Sequence, residues 1–477
     1  MYDKLIDGYT NAATRGLDRK QREEVKRELK AHIWDSSEAL AAERKMPVDE
    51  SIVREVIERM GPPGDIAAEY PQARKTILSD RLILGCFAVI VILGILLAAI
   101  GGAYGLLWAF APSEHREDNT SHPGAEKISL DVSTFGNVNV IESETGDVQV
   151  IYTINARHGH LNDTVTNTTY TVDGNTLSVK SEARHTNTLS GLISIDDTPP
   201  SVVIKVPKNS QYDLHLKTSY GSVTLTPLNG SRALVDSGSG NIVINGGRYD
   251  DLEATSEYGS ITATYEANTS TFDSGSGNLD LASSEPADSL TATTNYGAIK
   301  AKYNATQAQF SSASGNLDLD SSGPADNLTA STSYGSITAR YNARTAKFTS
   351  GSGNLDLSSD QAADSLSATT SYGRIQAKYN ATQATFKSGS GDLDLDSAQT
   401  SGSLSASSDY GHIRVTLPAG VLFSADASTS YGKIRHEAIQ LVMTEASDNH
   451  LIGYTEGGQG ALSLKLHSDS GNIEMSY

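Results

Sequence analysis

The feature that most constrains this chain is a period. Tyr220, Tyr258, Tyr296, Tyr334, Tyr372 and Tyr410 lie 38 residues apart, and each is followed by glycine. Tyr265, Tyr303, Tyr341 and Tyr379 keep the same period, as do Phe272, Phe310, Phe348 and Phe386, and Leu290, Leu328, Leu366 and Leu404. Self-similarity at fixed spacing marks a repeat architecture, in which each unit buries its apolar side only by stacking on its neighbours.

The 38-residue unit divides in two. Aligning the glycine of "YG" with that of "SGN" gives Gly259, Gly277, Gly297, Gly315, Gly335, Gly353, Gly373 and Gly391, in alternating steps of 18 and 20. Residue parity agrees with coils of about nineteen residues. In "LTATTNYGAIKAKY", Leu290, Ala292, Thr294 and Tyr296 share one face, and after Gly297 the inward set becomes Ile299, Ala301 and Tyr303. A glycine corner permits this switch, because glycine adopts conformations other residues avoid. Short strands, glycine corners and constant coil length predict an all-β parallel β-solenoid. At about 4.8 Å per coil, some eleven or twelve regular coils over 214–435 would extend roughly 55 Å. The less regular flanks at 125–213 and 436–477 should add coils or caps, with the C-terminal cap in 436–477.

The register also predicts which side chains meet between coils. Tyr296 falls opposite Ser276 and Ser314, and Ala301 opposite Leu281 and Leu319, so large and small residues would alternate along a narrow core. The corner tyrosines Tyr258, Tyr296, Tyr334 and Tyr372 then read as core or corner residues, or as a sugar-binding aromatic platform. Asp280, Asp318, Asp356 and Asp394 should form an outward column, which could hold calcium or supply paired acids for glycoside hydrolysis. Lys300 falls within that column between Asp280 and Asp318. One column over, Lys302 meets Asp320 and Lys378 meets Asp396, which favours cross-strand ion pairs instead. No catalytic triad, phosphate loop or cofactor motif stands out, and His158 and His160 sit in an expected loop. The chain therefore reads as non-catalytic and cofactor-free.

Other features set the context. The 477-residue chain carries a net charge of -20, which argues against nucleic acid. Its single cysteine, Cys86, excludes an internal disulfide. No charged residue occurs between Arg81 and Glu114, so 82–111 reads as one transmembrane helix, followed by a linker at 112–126. Gly101 and Gly105 offer a helix-dimer face in that span. Arg74, Lys75 and Arg81 on its N-terminal side place the N-terminus in the cytoplasm and the solenoid, 127–477, outside the cell membrane. Asn119, Asn162, Asn167, Asn229, Asn268, Asn304, Asn327 and Asn380 are glycosylation acceptors by sequence, and all follow the span.

Residues 1–76 read as helices. Val25, Leu29, Ile33 and Leu40 share a face, Asp49 can cap a helix burying Val53, Val56, Ile57 and Met60, and Gly61 with two prolines ends it. Glu28, His32 and Asp35 have helical spacing but read as a solvated face and not a metal site. The stretches "REEVKRELKAHIWD" and "VREVIERMGPPGDIAAEY" resemble the HAAS-type helical domain. That resemblance implies a cytoplasmic interaction or signalling module, with a PadR-like regulator as partner and no catalysis. Residues 125–477, with recurring "SGNLDL" and "SYGSI" and a closing "SDSGNIEM", resemble the adhesin family of β-solenoid surface domains. This implies binding of a surface, glycan or envelope component. Transmembrane signalling through the helical domain is the second reading, and a carbohydrate-active β-helix enzyme the third.

Overall fold

The computed structural model describes residues 2–15, 17, 19–44, 46–63, 113–157, 164–185, 198–436 and 439–477. The chain forms two compact units, Met1–Gly105 and Leu106–Tyr477.

In the first unit, helices α1 (Asp3–Ala13), α2 (Arg19–Glu43) and α3 (Glu50–Arg59) bury Ile6, Ile33, Leu40, Ile52, Val53 and Val56 against one another. The Asp49 carboxylate accepts from the backbone N–H groups of Ser51 and Ile52, both at 3.0 Å, so it is the expected N-cap. Gly61 follows α3 at φ +83°, where a side chain would be strained. The short helix expected after Asp65 lies outside the described residues.

The expected fold included a transmembrane helix, and this is corrected. Among the described residues no helix is long and apolar enough to cross a membrane. The longest, α2, is charged along its length. The 82–111 segment, with Cys86 and the Gly101/Gly105 dimer face, lies outside the described residues. The fold class is an all-β solenoid with a small N-terminal helical unit.

In the second unit the coils stack in parallel register along two rows, one before and one after the glycine corner, and in coils such as Ile261–Ser274 a single strand serves both rows. Strands such as Ala287–Thr294, Ala305–Ser312 and Ala325–Thr332 run into the glycine corner and pair in parallel. Strands such as Leu279–Ala282, Ile299–Tyr303 and Leu317–Ser321 leave it and pair likewise. The side chains facing inward alternate in size between coils. Phe310 lies between Ala292 and Ala330, and Ala301 between Leu281 and Leu319, as the register required. All six are at most 2% exposed. Complementary volumes alternate through a thin core.

Both ends depart from sequence order. At the C-terminal end, Leu462–Ser468 pairs with Gly402–Ser408 on one side and Phe423–Thr429 on the other. Ile473–Ser476 likewise lies between Ile413–Thr416 and Ile434–His436. The last coil in the chain is thus inserted between the two coils that precede it. The expected cap therefore splits: Val442–Ala446 and His450–Tyr454 form an antiparallel hairpin over Phe423–Thr429, whereas the final residues are an inner coil.

The N-terminal end mirrors this arrangement. Lys127–Thr134 lies between Thr176–His185 and Gln211–Thr218, and Val138–Ser143 between Thr198–Pro207 and Val223–Leu225. Antiparallel strands Thr164–Asp173, Asp147–Arg157 and Ser113–Pro123 cover the outside. The last of these occupies most of the expected linker. Its sequence, SEHREDNTSHP, is polar and ends in proline, which suits an edge strand that must resist further pairing.

Candidate functional site

The glycine corner is built from three contacts that repeat along the stack. In the coil containing Tyr334, the Thr332 hydroxyl accepts the Gly335 N–H at 3.0 Å and donates to the Gly315 carbonyl of the preceding coil at 3.0 Å. Ser350 does the same for Gly353 and Gly335, at 2.8 and 2.9 Å. The Asn316 side-chain oxygen then accepts the Ser336 N–H of the next coil at 2.8 Å, and Asn354 accepts that of Arg374 at 2.9 Å. A buried hydroxyl three residues before the glycine in each of these coils, and the amide of Asn316 or Asn354 after alternate glycines, therefore satisfy backbone groups that the turn leaves unpaired.

The glycines themselves are needed for proximity. A Cβ on Gly335 would lie 2.0 Å from the Gly315 carbonyl oxygen, and one on Gly353 would lie 1.9 Å from that of Gly335. None of the eight expected corner glycines has positive φ. At this corner glycine is required by backbone contact between coils and not by the conformational freedom expected from the sequence.

This corner carries the tyrosines. Gly136, Gly221, Gly240, Gly259, Gly277, Gly297, Gly315, Gly335, Gly353, Gly373, Gly391, Gly411, Gly471 and Gly432 form one column in that spatial order. The residues just before them, from Gly221 onward, alternate: Tyr220, Ser239, Tyr258, Ser276, Tyr296, Ser314, Tyr334, Ser352, Tyr372, Ser390, Tyr410, Ser470 and Tyr431. Tyr258, Tyr296, Tyr334 and Tyr372 are corner residues and not core. They are 65–71% exposed, and Tyr431 is 86% exposed. The parity that put Tyr296 with Leu290 fails because the chain turns after Thr294, before the tyrosine is reached.

A second set of tyrosines lies inside. Tyr265, Tyr303, Tyr341 and Tyr379 are buried and pack on Phe272, Phe310, Phe348 and Phe386 with ring centroids 4.9–5.1 Å apart. Burial pushes the Tyr265 hydroxyl up to about 12, although its hydrogen bond to Ser270 opposes the shift. Burial also pushes Tyr303 and Tyr379 up, opposed by Ser321 and Ser397 respectively, although neither serine comes within full hydrogen-bonding geometry and no other partner is found among the described residues.

The aspartate column forms in the expected register, interleaved with other side chains. Lys300 stands between Asp280 and Asp318, Thr338 between Asp318 and Asp356, and Gln376 between Asp356 and Asp394. Asp394 is bound by Arg374 at 2.6 Å and Arg414 at 3.0 Å. Among the described residues no group of three metal-ligating side chains comes together. Lys302 is in register with Asp320 and Lys378 with Asp396, but the Lys378 ammonium binds Asp360 at 2.8 Å. Alternating charge, and not a carboxylate cluster, lines the shallow groove from Asp280 to Arg340.

Among the other expected residues, Asn119, Asn167, Asn229, Asn268 and Asn327 are exposed, whereas Asn304 and Asn380 are half-buried. Asn162, His158 and His160 lie outside the described residues. Glu28, His32 and Asp35 are exposed on α2. The corner hydroxyls of Ser/Thr three residues before glycine were missed in the sequence. Their invariance from coil to coil, Thr294, Ser312, Thr332, Ser350 and Thr370, is the signal that could have found them.

The HAAS family pattern matches residues 9–69, so the helical unit is a HAAS domain. No curated protein matches the chain. Among solved structures, a candidate cell adhesion protein from Clostridium sporogenes ATCC 15579 is 10% identical, covering 76% of this chain and 99% of its own, with a TM-score of 0.18. A candidate lipid binding protein from Parabacteroides distasonis ATCC 8503 is 13% identical over 76% of this chain and 96% of its own, with a TM-score of 0.26. A candidate adhesin from Parabacteroides merdae ATCC 43184 is 11% identical over the same shares, with a TM-score of 0.22. The pattern named Toastrack DUF4097 matches residues 125–346 and again 309–476, which spans nearly the whole solenoid. The chain belongs to the Toastrack DUF4097 family.

Proposed function

We propose that the solenoid is a non-catalytic binding surface for an extended component of the cell envelope, and that the tyrosine corner is its contact. The observation that carries this reading is the row of exposed tyrosines. Large aromatic side chains are normally buried, and a contiguous exposed set is the usual mark of an interaction surface. Tyrosine supplies wide apolar contact with a polar tip at low entropic cost. The groove of alternating charge offers no comparable feature, because its charges neutralise one another.

The test is cosedimentation of the full chain with isolated cell-envelope material. The variant Tyr258→Ser/Tyr296→Ser/Tyr334→Ser/Tyr372→Ser places at each position the residue that the intervening coils already carry. The wild-type protein should pellet and the variant should stay in solution. Equal sedimentation of the folded variant would sink the assignment.

The HAAS domain supports a second reading, in which the chain also engages a PadR-type regulator. Copurification of such a regulator with the full chain, lost on replacing exposed residues of α2, is the expected outcome. Retention by those variants would count against it.

A further inference from the structure

The spacing of the tyrosine row carries more than its exposure. Resting on the binding-surface reading, we infer that the row recognises a neutral, linear β-1,4-linked polysaccharide in its flat ribbon form, with one tyrosine under every second sugar. Tyr296 and Tyr334 are separated by the coil of Ser314, so their spacing is two strand separations, about 9.6 Å. In a β-1,4 ribbon consecutive rings are flipped, and the same face returns once per disaccharide, on that same length scale.

Packing does not impose this period. In the core, Phe310 must alternate with Ala330 because their volumes compete. At the corner, Tyr296 and Tyr334 are 70% and 71% exposed, so an aromatic on every coil would meet no such limit. The end of the solenoid sharpens the point. In sequence the Tyr431 coil follows the Tyr410 coil directly, yet the inserted final coil brings Ser470 between them. The two-coil step is thus kept at this end, where the order of the chain would have broken it; at the other end the half-buried Phe135 precedes Gly136 beside the Tyr220 coil, so the row proper begins at Tyr220. Between tyrosines the corner carries small residues such as Gly351 and Ser352. The net charge of -20 opposes polyanionic glycans.

The experiment measures binding of the full chain to microcrystalline cellulose, chitin and amylose, the last an α-1,4 polymer that forms no flat ribbon. Three proteins are compared: wild type, the four-serine variant above, and a period-shifted variant, Tyr296→Ser/Ser314→Tyr/Tyr372→Ser/Ser390→Tyr. The shifted variant keeps the number and corner position of the tyrosines and changes only their spacing. Far-UV circular dichroism and the unfolding midpoint establish that each is folded. Wild type should bind cellulose or chitin and not amylose, and the shifted variant should bind at least about tenfold more weakly. Wild-type binding to neither ribbon, equal binding to amylose, or full binding by the shifted variant would each overturn the inference. Loss in the four-serine variant with retention in the shifted one would reject the spacing and leave the binding surface standing. Retention in both would reject the two together.

Discussion

Two rows of tyrosine run along the same coils with the same 38-residue period, and they do opposite work. Tyr303 is 1% exposed and packs on Phe310, whereas Tyr296, seven residues earlier, is 70% exposed. The difference lies in the corner between them. A strand after Gly297 directs Ile299, Ala301 and Tyr303 inward, while the turn before it turns Tyr296 out to solvent. Period alone therefore cannot separate a structural tyrosine from an available one. The local hydrogen bonding of the turn can.

Substitutions on either side of this comparison should differ in kind. The largest effect is expected at the corner itself. Gly335→Val forces side-chain atoms into the Gly315 carbonyl, only 2.0 Å from the Cβ position, and should broaden or split thermal unfolding as neighbouring coils separate. A single sharp transition at the wild-type midpoint would contradict the stacking. Next comes the inner row. Tyr303→Ala should cost about 3–5 kcal/mol by leaving a cavity against Phe310, read as a lowered denaturant midpoint. Smaller again is Thr332→Val, which strips the Gly335 N–H and the Gly315 carbonyl of their partner and should cost about 1–3 kcal/mol.

Alkaline pH probes the inner row without mutation. The folded state holds Tyr265 as a neutral phenol up to about 12, whereas an unfolded tyrosine ionises near its ordinary value of about 10. The stabilisation is complete below about pH 10 and is lost as pH rises from there towards 12. Denaturant midpoints across that window should fall, and Tyr265→Phe should remove part of the slope. The smallest effect on stability belongs to the outer row. Each replacement among Tyr258, Tyr296, Tyr334 and Tyr372 by serine should change unfolding free energy by no more than about 0.5 kcal/mol, while the four together abolish binding.

Much of the solenoid was legible in the sequence because its core obeys a one-dimensional rule. Once Gly297 and Gly315 were aligned, the pairing of Ala301 with Leu281 and Leu319 followed, as did the position of Lys300 among the aspartates. Three things were not legible. The role of the corner hydroxyls was missed because Ser and Thr look like loop composition until their bonds to glycine are seen. The tyrosine corner was assigned by parity, which carries no information once a strand turns. The inserted coil at 462–476 was beyond any periodic argument, because its partners at 402–408 and 423–429 are adjacent in sequence and separated in space. The transmembrane helix expected from the uncharged stretch at 82–111 has no counterpart among the described helices, the longest of which is α2.

The most direct test of the account is nitration of the tyrosines in the full chain, mapped by peptide mass spectrometry with and without bound chitin or cellulose. In the free protein, Tyr258, Tyr296, Tyr334 and Tyr372 should be modified and Tyr265, Tyr303, Tyr341 and Tyr379 spared. Bound polysaccharide should then shield the outer row. Modification of the inner tyrosines in the folded protein would contradict the fold, and an outer row equally reactive with polymer bound would contradict its role as the contact surface.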